Sequence, residues 1–341
     1  MHSNKICRFI PLSFLSLLLL CSEILCLEIV DQAGRTVICP AEVKRVVTTY
    51  NPATNIVFAL GGHRKLVSLS AYPHKYPLYQ KLYPNPGYTS SIGSKKGVNI
   101  EAIFATHPDL VIIHPTKDGI ETAAKITSLG VPALVIDPEN LSKLRRSIRL
   151  VGQVLGMTAE ANRLEEKMNS FVNIVESRLK QISTSNRKKV YFAASRGINT
   201  TSSAAMMQHT MIEMAGGVDV VQVTSGGWLN VSLEQLMLWN PDVILLSRTC
   251  RTTVKALMTE PRYSALKAVE KRQIFRFPSN LNPWDYPGPE NYLAILWLSV
   301  KLYPDLFQDI VFADVVDDYY LSIYGRSFKD LGGVLEANGE N

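Results

Sequence analysis

The chain has 341 residues, 46% of them hydrophobic and 19% charged, with a formal net charge of +6. That length allows two domains of ordinary size, and that balance belongs to a globular chain rather than a disordered one. The cations are scattered, without a run of five basic residues, so no nucleic-acid partner is expected.

Lys5 and Arg8 precede an apolar run over residues 9–20, and Glu23 closes it. This is the order and length of a secretory signal, too short to span a bilayer as a stable helix. Residues 1–26 are therefore expected to be removed, leaving an exported chain that starts at Leu27. Lipid attachment at Cys21 or Cys26 is the disfavoured alternative, because Leu20 and Leu25 stand where processing prefers a small residue. Cys39 and Cys250 fall in different halves and read as two buried or unpaired thiols rather than a bridge.

Residues 27–40 alternate around Gln32-Ala33-Gly34 and predict a hairpin. Strands follow at 45–50 and 66–70, with a helix between them that opens at Pro52 and stops at Gly61-Gly62. Residues 72–94 are rich in Tyr, Pro and Gly and have no period, which predicts a long functional loop. Helix and strand over 101–113, a helix over 117–129, a strand over 132–136 and a helix over 141–155 complete the first half. Residues 158–182 then contain no Pro or Gly. Leu164, Met168, Phe171, Val175, Leu179 and Ile182 recur there at steps of three and four. Roughly 25 residues of helix would be about 37 Å long, which suits a linker between two lobes, with Thr158 expected as its N-cap.

The second half repeats the alternation. It predicts strands at 189–194, 219–223 and 273–277, helix and strand over 234–246, and helices at 208–215, 263–270, 291–302 and 311–324. A second unpatterned loop covers 279–289, and a Gly-rich tail beyond Phe328 is expected to fray. The fold class is α/β, with two Rossmann-like lobes built on parallel sheets and joined by a single long α-helix. The expected divisions are a lobe over 27–156, a linker over 157–183, and a lobe with its tail over 184–341.

Two stretches are copies of one another. Glu101 opens a short helical turn, Pro108-Asp109 follows, and four apolar residues end at Ile113. Glu234, Pro241-Asp242 and Leu246 stand in the same places in the second copy. Their separation is too wide for a solenoid repeat and suits two equivalent lobes. No Gly-x-Gly-x-x-Gly, Walker loop, Gly-x-Ser-x-Gly or His-Glu-x-x-His occurs. Ser264-Ala-Leu-Lys267 fits Ser-x-x-Lys but lacks the partner motifs. Binding rather than turnover is the expected chemistry. Two rival readings are an exported two-lobe enzyme of chelatase-like fold and an exported scaffold without a ligand.

The pieces Asp31-x-x-Gly34-Arg35-Thr36-Val37-x-x-Pro40, Leu60-Gly-Gly62, Asn99-Ile-Glu101 with Pro108-Asp109, Ala215-Gly-Gly217 and Glu234-x-Leu236 with Pro241-Asp242 occur in one order and spacing. With Tyr263-x-x-Leu266-x-Ala268-Val269, they resemble the substrate-binding proteins of ABC importers for iron complexes, haem and cobalamin. The resemblance implies a periplasmic monomer that hands its ligand to an ABC permease dimer and its ATPase. In that setting Glu101 and Glu234 would dock onto arginines of the two permease subunits. Such a protein has no intrinsic cofactor and carries a bound iron complex or other metal chelate as its cargo. A ferric siderophore comes first; haem, cobalamin and a nickel or cobalt chelate remain open. The ligand is expected between the lobes, at the carboxyl ends of the strands. Of the loop residues there, Tyr72, His74, Arg196, Trp228, Arg248 and Trp284 are the chosen candidates. Tyr50, His114, Met206, Met207, His209, Arg251, Asp285 and Tyr286 stand in the same loops.

Overall fold

The computed structural model describes residues 26–69, 76–84, 89–90, 92–94, 97–116 and 118–335. Most of the expected signal segment, together with Tyr72 and His74, lies outside the described residues. Among the described residues, no helix is long and apolar enough to cross a membrane.

The chain opens with a hairpin of β1 (Leu27–Val30) and β2 (Thr36–Cys39). Asp31, wholly buried, accepts from the backbone N–H groups of Ala33 and Arg35, both at 2.9 Å, and of Val135 at 3.2 Å. This explains the Asp-x-x-Gly-Arg pattern: the aspartate forms the turn and ties it to the lobe.

The first lobe continues with β3 (Val46–Thr48), α1 (Asn51–Ala59), β4 (Leu66–Leu69), α2 (Pro77–Leu82), and the short β5 (Thr89–Ser90), β6 (Gly93–Ser94) and β7 (Gly97–Val98). Then come α3 (Ile100–Phe104), β8 (Leu110–Ile113), α4 (Gly119–Ser128), β9 (Ala133–Val135) and α5 (Leu141–Val154). The long α6 (Thr158–Leu179) leads to the second lobe. There the order is β10 (Lys189–Ala193), β11 (Thr200–Ser202), α7 (Met207–Met214), β12 (Val218–Asp219), β13 (Trp228–Asn230), α8 (Leu233–Trp239) and β14 (Val243–Leu246). It closes with α9 (Val254–Thr259), α10 (Lys267–Glu270), β15 (Ile274–Arg276), α11 (Glu290–Leu302) and α12 (Phe312–Tyr324).

Each lobe has an all-parallel central sheet, in the order β5-β4-β3-β8-β9 and β12-β10-β14-β15. The order reverses at β3/β8 in one lobe and at β10/β14 in the other, so each lobe has one switch point, where crevices open at the carboxyl ends.

The sequence duplication is a duplication of joints. Asp109 accepts from the N–H groups of Lys44 and Arg45 at 2.9 and 2.8 Å, and its own N–H donates to Arg45 O at 2.9 Å. Asp242 accepts from Lys189 N–H at 2.8 Å and donates to Lys189 O at 2.8 Å. Each aspartate thus clasps the start of the neighbouring strand. The residue before each proline turns left-handed, His107 at φ 46° and Asn240 at φ 41°. A β-branched residue resists that conformation by about 1–2 kcal/mol. His107→Val is expected to lose about that much in urea unfolding, whereas His107→Gly holds or gains stability.

The long helix is embedded in the protein. Its Leu164, Met168, Phe171, Val175 and Leu179 are buried in one apolar cluster with Ile56 and Val151 of the first lobe and Leu293 and Leu296 of α11. The outer face of each sheet packs a smaller cluster of its own.

Four expectations change. Residues 77–82 form α2 inside the expected loop, because Pro77 at its first turn is preset for a helix too short to show a period. Met157, not Thr158, occupies the N-cap position of α6, and no side chain caps that helix start. The segment expected at 263–270 is a 3₁₀ turn at Pro261–Tyr263 followed by the single turn of α10. The tail does not fray up to residue 335: Phe328 and Leu331 are buried, and Val334 exchanges hydrogen bonds with Asn280.

Candidate functional site

The first lobe sends two groups into the space between the lobes, each just past a strand end. Tyr50 follows β3, and Glu139 follows β9. The Tyr50 hydroxyl donates to Glu139 Oε1. His114, at the end of β8, lies against the Tyr50 ring with centroids 4.3 Å apart. Its Nε2 is 3.4 Å from Glu139 Oε1 and 3.7 Å from Asp137 Oδ1. Burial, then the charge of Glu139, raises the Tyr50 phenol well above its ordinary range. Burial pushes Glu139 the other way from its neighbours, but His114 and Tyr50 outweigh it and hold the carboxyl below the usual value. Glu139 is therefore a standing negative charge.

The second lobe answers with Trp228 at the start of β13, Met206, Met207 and Gln208 at the start of α7, and Asp285, Tyr286 and Pro287 beyond β15. With Tyr50 and Glu139 they line a cleft of about 200 Å³. Trp228 is 51% exposed, an unusual state for an indole and one that marks a contact surface. Asp285 is wholly desolvated, which raises its carboxyl despite bonds from Ser247 and from Arg248 N–H. Gln208 donates to Asp285 O at 2.8 Å, and its Oε1 is buried without a partner among the described residues. Such orphaned buried acceptors are rare and ask for a donor.

The chosen candidates divide. Trp228 is in the cleft. Arg196 is exposed on the turn after β10, and Arg248 is half-buried with its Nε on Ser279 O at 2.9 Å; neither is among the lining residues. Trp284 has no exposed surface: its Nε1 donates to Tyr320 OH at 3.2 Å, and Phe312 and Phe328 flank its ring. It is a core residue, withdrawn from the site because α12 and the tail cover it. His209 is held by Asp219 at 2.9 Å. Sequence reasoning missed Glu139, which stands just before α5, and Gln208, which lies in the first turn of α7.

Glu101 and Glu234 are exposed in the first turns of α3 and α8. Asn99 caps one helix through Ala102 N–H at 3.0 Å, and Ser232 caps the other through Gln235 N–H at 3.1 Å. The backbone N–H of Glu234 and the Ser232 hydroxyl hold the Glu234 carboxyl below its usual value. Cys39 and Cys250 are both buried free thiols, and burial pushes Cys39 up to about 11.

A profile of periplasmic binding proteins matches residues 46–281. The molybdate-binding protein MolA of Haemophilus influenzae is 27% identical over 324 residues, covering 88% of this chain and 92% of its own. Its molybdate-bound structure superimposes with a TM-score of 0.75 at 25% identity, over 88% of this chain and 98% of that one. A vitamin B12-binding protein of Yersinia pestis is 26% identical over 62% of this chain and 72% of its own length. A periplasmic solute-binding protein of Veillonella parvula gives a TM-score of 0.76 at 27% identity, over 91% of this chain and 97% of that one. Two parallel-sheet lobes joined by a long embedded helix, with a lined cleft between them, agree with these matches: the chain belongs to the periplasmic binding protein family of ABC-transporter solute receptors, which bind their solute rather than transform it.

Proposed function

We propose that the protein is exported to the periplasm, captures a metal chelate in the cleft between its lobes, a ferric siderophore first, and delivers it to an ABC permease. The observation that carries this reading is the lining contributed by both lobes. Tyr50, Trp228 and Tyr286 offer flat aromatic surface, and Met206 and Met207 offer adaptable thioether surface. Both suit the organic shell of a complex. Glu139 and the orphaned Gln208 Oε1 favour a ligand that presents hydrogen-bond donors or positive charge. A second reading is an oxyanion, favoured by the extent of the match to the molybdate-binding relative. The negative charge of Glu139 opposes it.

Fluorescence titration of the purified protein separates the readings, because Trp228 would report contact with a ligand. Ferric chelates, haem, cobalamin, nickel–histidine and molybdate form the panel. At least one metal complex is expected to quench, and Trp228→Ala to weaken it about tenfold, the equivalent of ~1.4 kcal/mol. Quenching by molybdate with none of the complexes bound would overturn the chelate reading.

A further inference from the structure

The second lobe has another concavity, at the end where its parallel strands begin. Lys188, Asp242 and Gln273 each stand one residue before β10, β14 and β15 and line a depression of about 540 Å³. Arg187, Lys267, Lys271 and Lys301 add to its walls. Arg187, Lys188, Lys267 and Lys301 are half-buried, and Lys271 is exposed. Two of the ammonium groups are seated on rings: Lys188 is 5.8 Å from the Tyr303 centroid, and Lys301 is 5.5 Å from that of Phe275. Asp242 is already engaged, by Lys189 N–H and by the Lys267 ammonium. Burial lowers Lys188 from its ordinary range, Lys271 adds to the effect, and Asp242 and Asp305 act against it without reversing it. A bound anion would relieve that cost.

We infer that this depression is a second binding site, for a phosphate-class oligoanion held by Arg187, Lys188, Lys271 and Lys301, while Lys267 keeps its pair with Asp242. Arginine and lysine are the side chains that grip phosphate oxygens, the first as a fork and the second as a point charge. The volume lies within the range of small-molecule sites, about 300–1,000 Å³. Cations spread over its walls match several linked phosphates better than one. The depression lies where the parallel strands begin, whereas the cleft lies beyond their carboxyl ends. It can therefore be filled while the cleft is engaged. The same chemistry is offered by a free oligophosphate and by the headgroups of an anionic phospholipid surface.

Two arms distinguish these sources. Tripolyphosphate is titrated calorimetrically into the purified protein, and vesicles of phosphatidylglycerol in phosphatidylcholine are co-sedimented with it, against pure phosphatidylcholine vesicles. Binding is expected in at least one arm and should weaken with added salt. Lys188→Gln with Lys271→Gln should reduce it at least tenfold, with the circular dichroism spectrum and the urea unfolding midpoint unchanged. Lys125→Gln with Arg163→Gln removes the same charge from exposed helix positions and should keep it within twofold. Absence of binding in both arms, a smaller loss in the pocket variant, or an equal loss in the control overturns the site.

Discussion

Replacing Glu101 and Glu234 together by alanine is expected to abolish uptake of the ligand while leaving its affinity for the cleft unchanged. Both carboxylates are exposed at helix starts, where capping is done by Asn99 and Ser232 rather than by the glutamates themselves. Their removal should change stability by no more than about 0.5 kcal/mol, as at other surface positions. The expected loss rests on the docking role the sequence resemblance implies for the pair. The two lobes repeat one construction, so the pair forms a pseudo-symmetric set suited to a two-fold partner. A carboxylate meeting an arginine in a desolvated contact makes a charge-assisted bond, and truncating one member costs about 2–5 kcal/mol. Two such losses would take a working complex out of its useful range. Each single variant should retain part of the activity. Uptake by cells carrying the variants, with fluorescence titration of the same purified proteins, checks both halves of the expectation. Normal uptake by the double variant would remove the docking role.

Glu290→Ala should cost about 3 kcal/mol of stability. Glu290 opens α11 and is 1% exposed. Asn55 of α1 donates to its Oε2 at 2.8 Å, and Tyr324 of α12 donates to its Oε1. One carboxyl thus joins the two lobes and the last helix. The fit is close: a Cβ on Gly288 would come within 2.5 Å of the Asn55 amide nitrogen. Alanine would leave the buried Asn55 amide without this acceptor and the Tyr324 hydroxyl with only Asn55 Oδ1 at 3.4 Å, at about 1–3 kcal/mol for each weakened group before relaxation. Burial raises the Glu290 carboxyl, against the bonds from Tyr324 and Asn55. The folded state therefore holds the proton more tightly than the unfolded chain. This contribution is complete below the ordinary carboxyl range and is lost as pH rises through the raised folded value. Glu290→Gln keeps the volume and one acceptor, so it should cost less than alanine and lack that pH-dependent fall. Urea unfolding of the three proteins across a pH series measures both effects. Equal pH slopes in wild type and Glu290→Gln would refute the titration argument.

What the sequence revealed follows from the range of the forces involved. The period of α6 and the apolar run of α11 are local and were readable. So were the two Glu-to-Asp copies, whose strand-clasping aspartates need a fixed spacing. Trp284 was misread because its surroundings of Pro, Asn and Gly look like an open loop. Its burial depends on Tyr320 and Phe328, far along the chain, and no local pattern announces them. Glu139 and Gln208 became candidates only when β9 and α7 were set across a common cleft. The basic depression is a stronger case of the same kind. Its cations come from the start of β10, the turn of α10 and the end of α11, and no stretch of sequence brings them together.

The embedding of α6 has a consequence for how the molecule melts. Two lobes of duplicated design suggest two independent units, each able to open and reclose alone. Yet the residues that bury α6 come from both sides, and a single apolar cluster runs from Ile56 to Leu296 through Phe171. Losing either lobe would strip water-excluding cover from the other. The duplication survives in shape and in its paired joints, but the shared cluster is expected to make the two lobes unfold together.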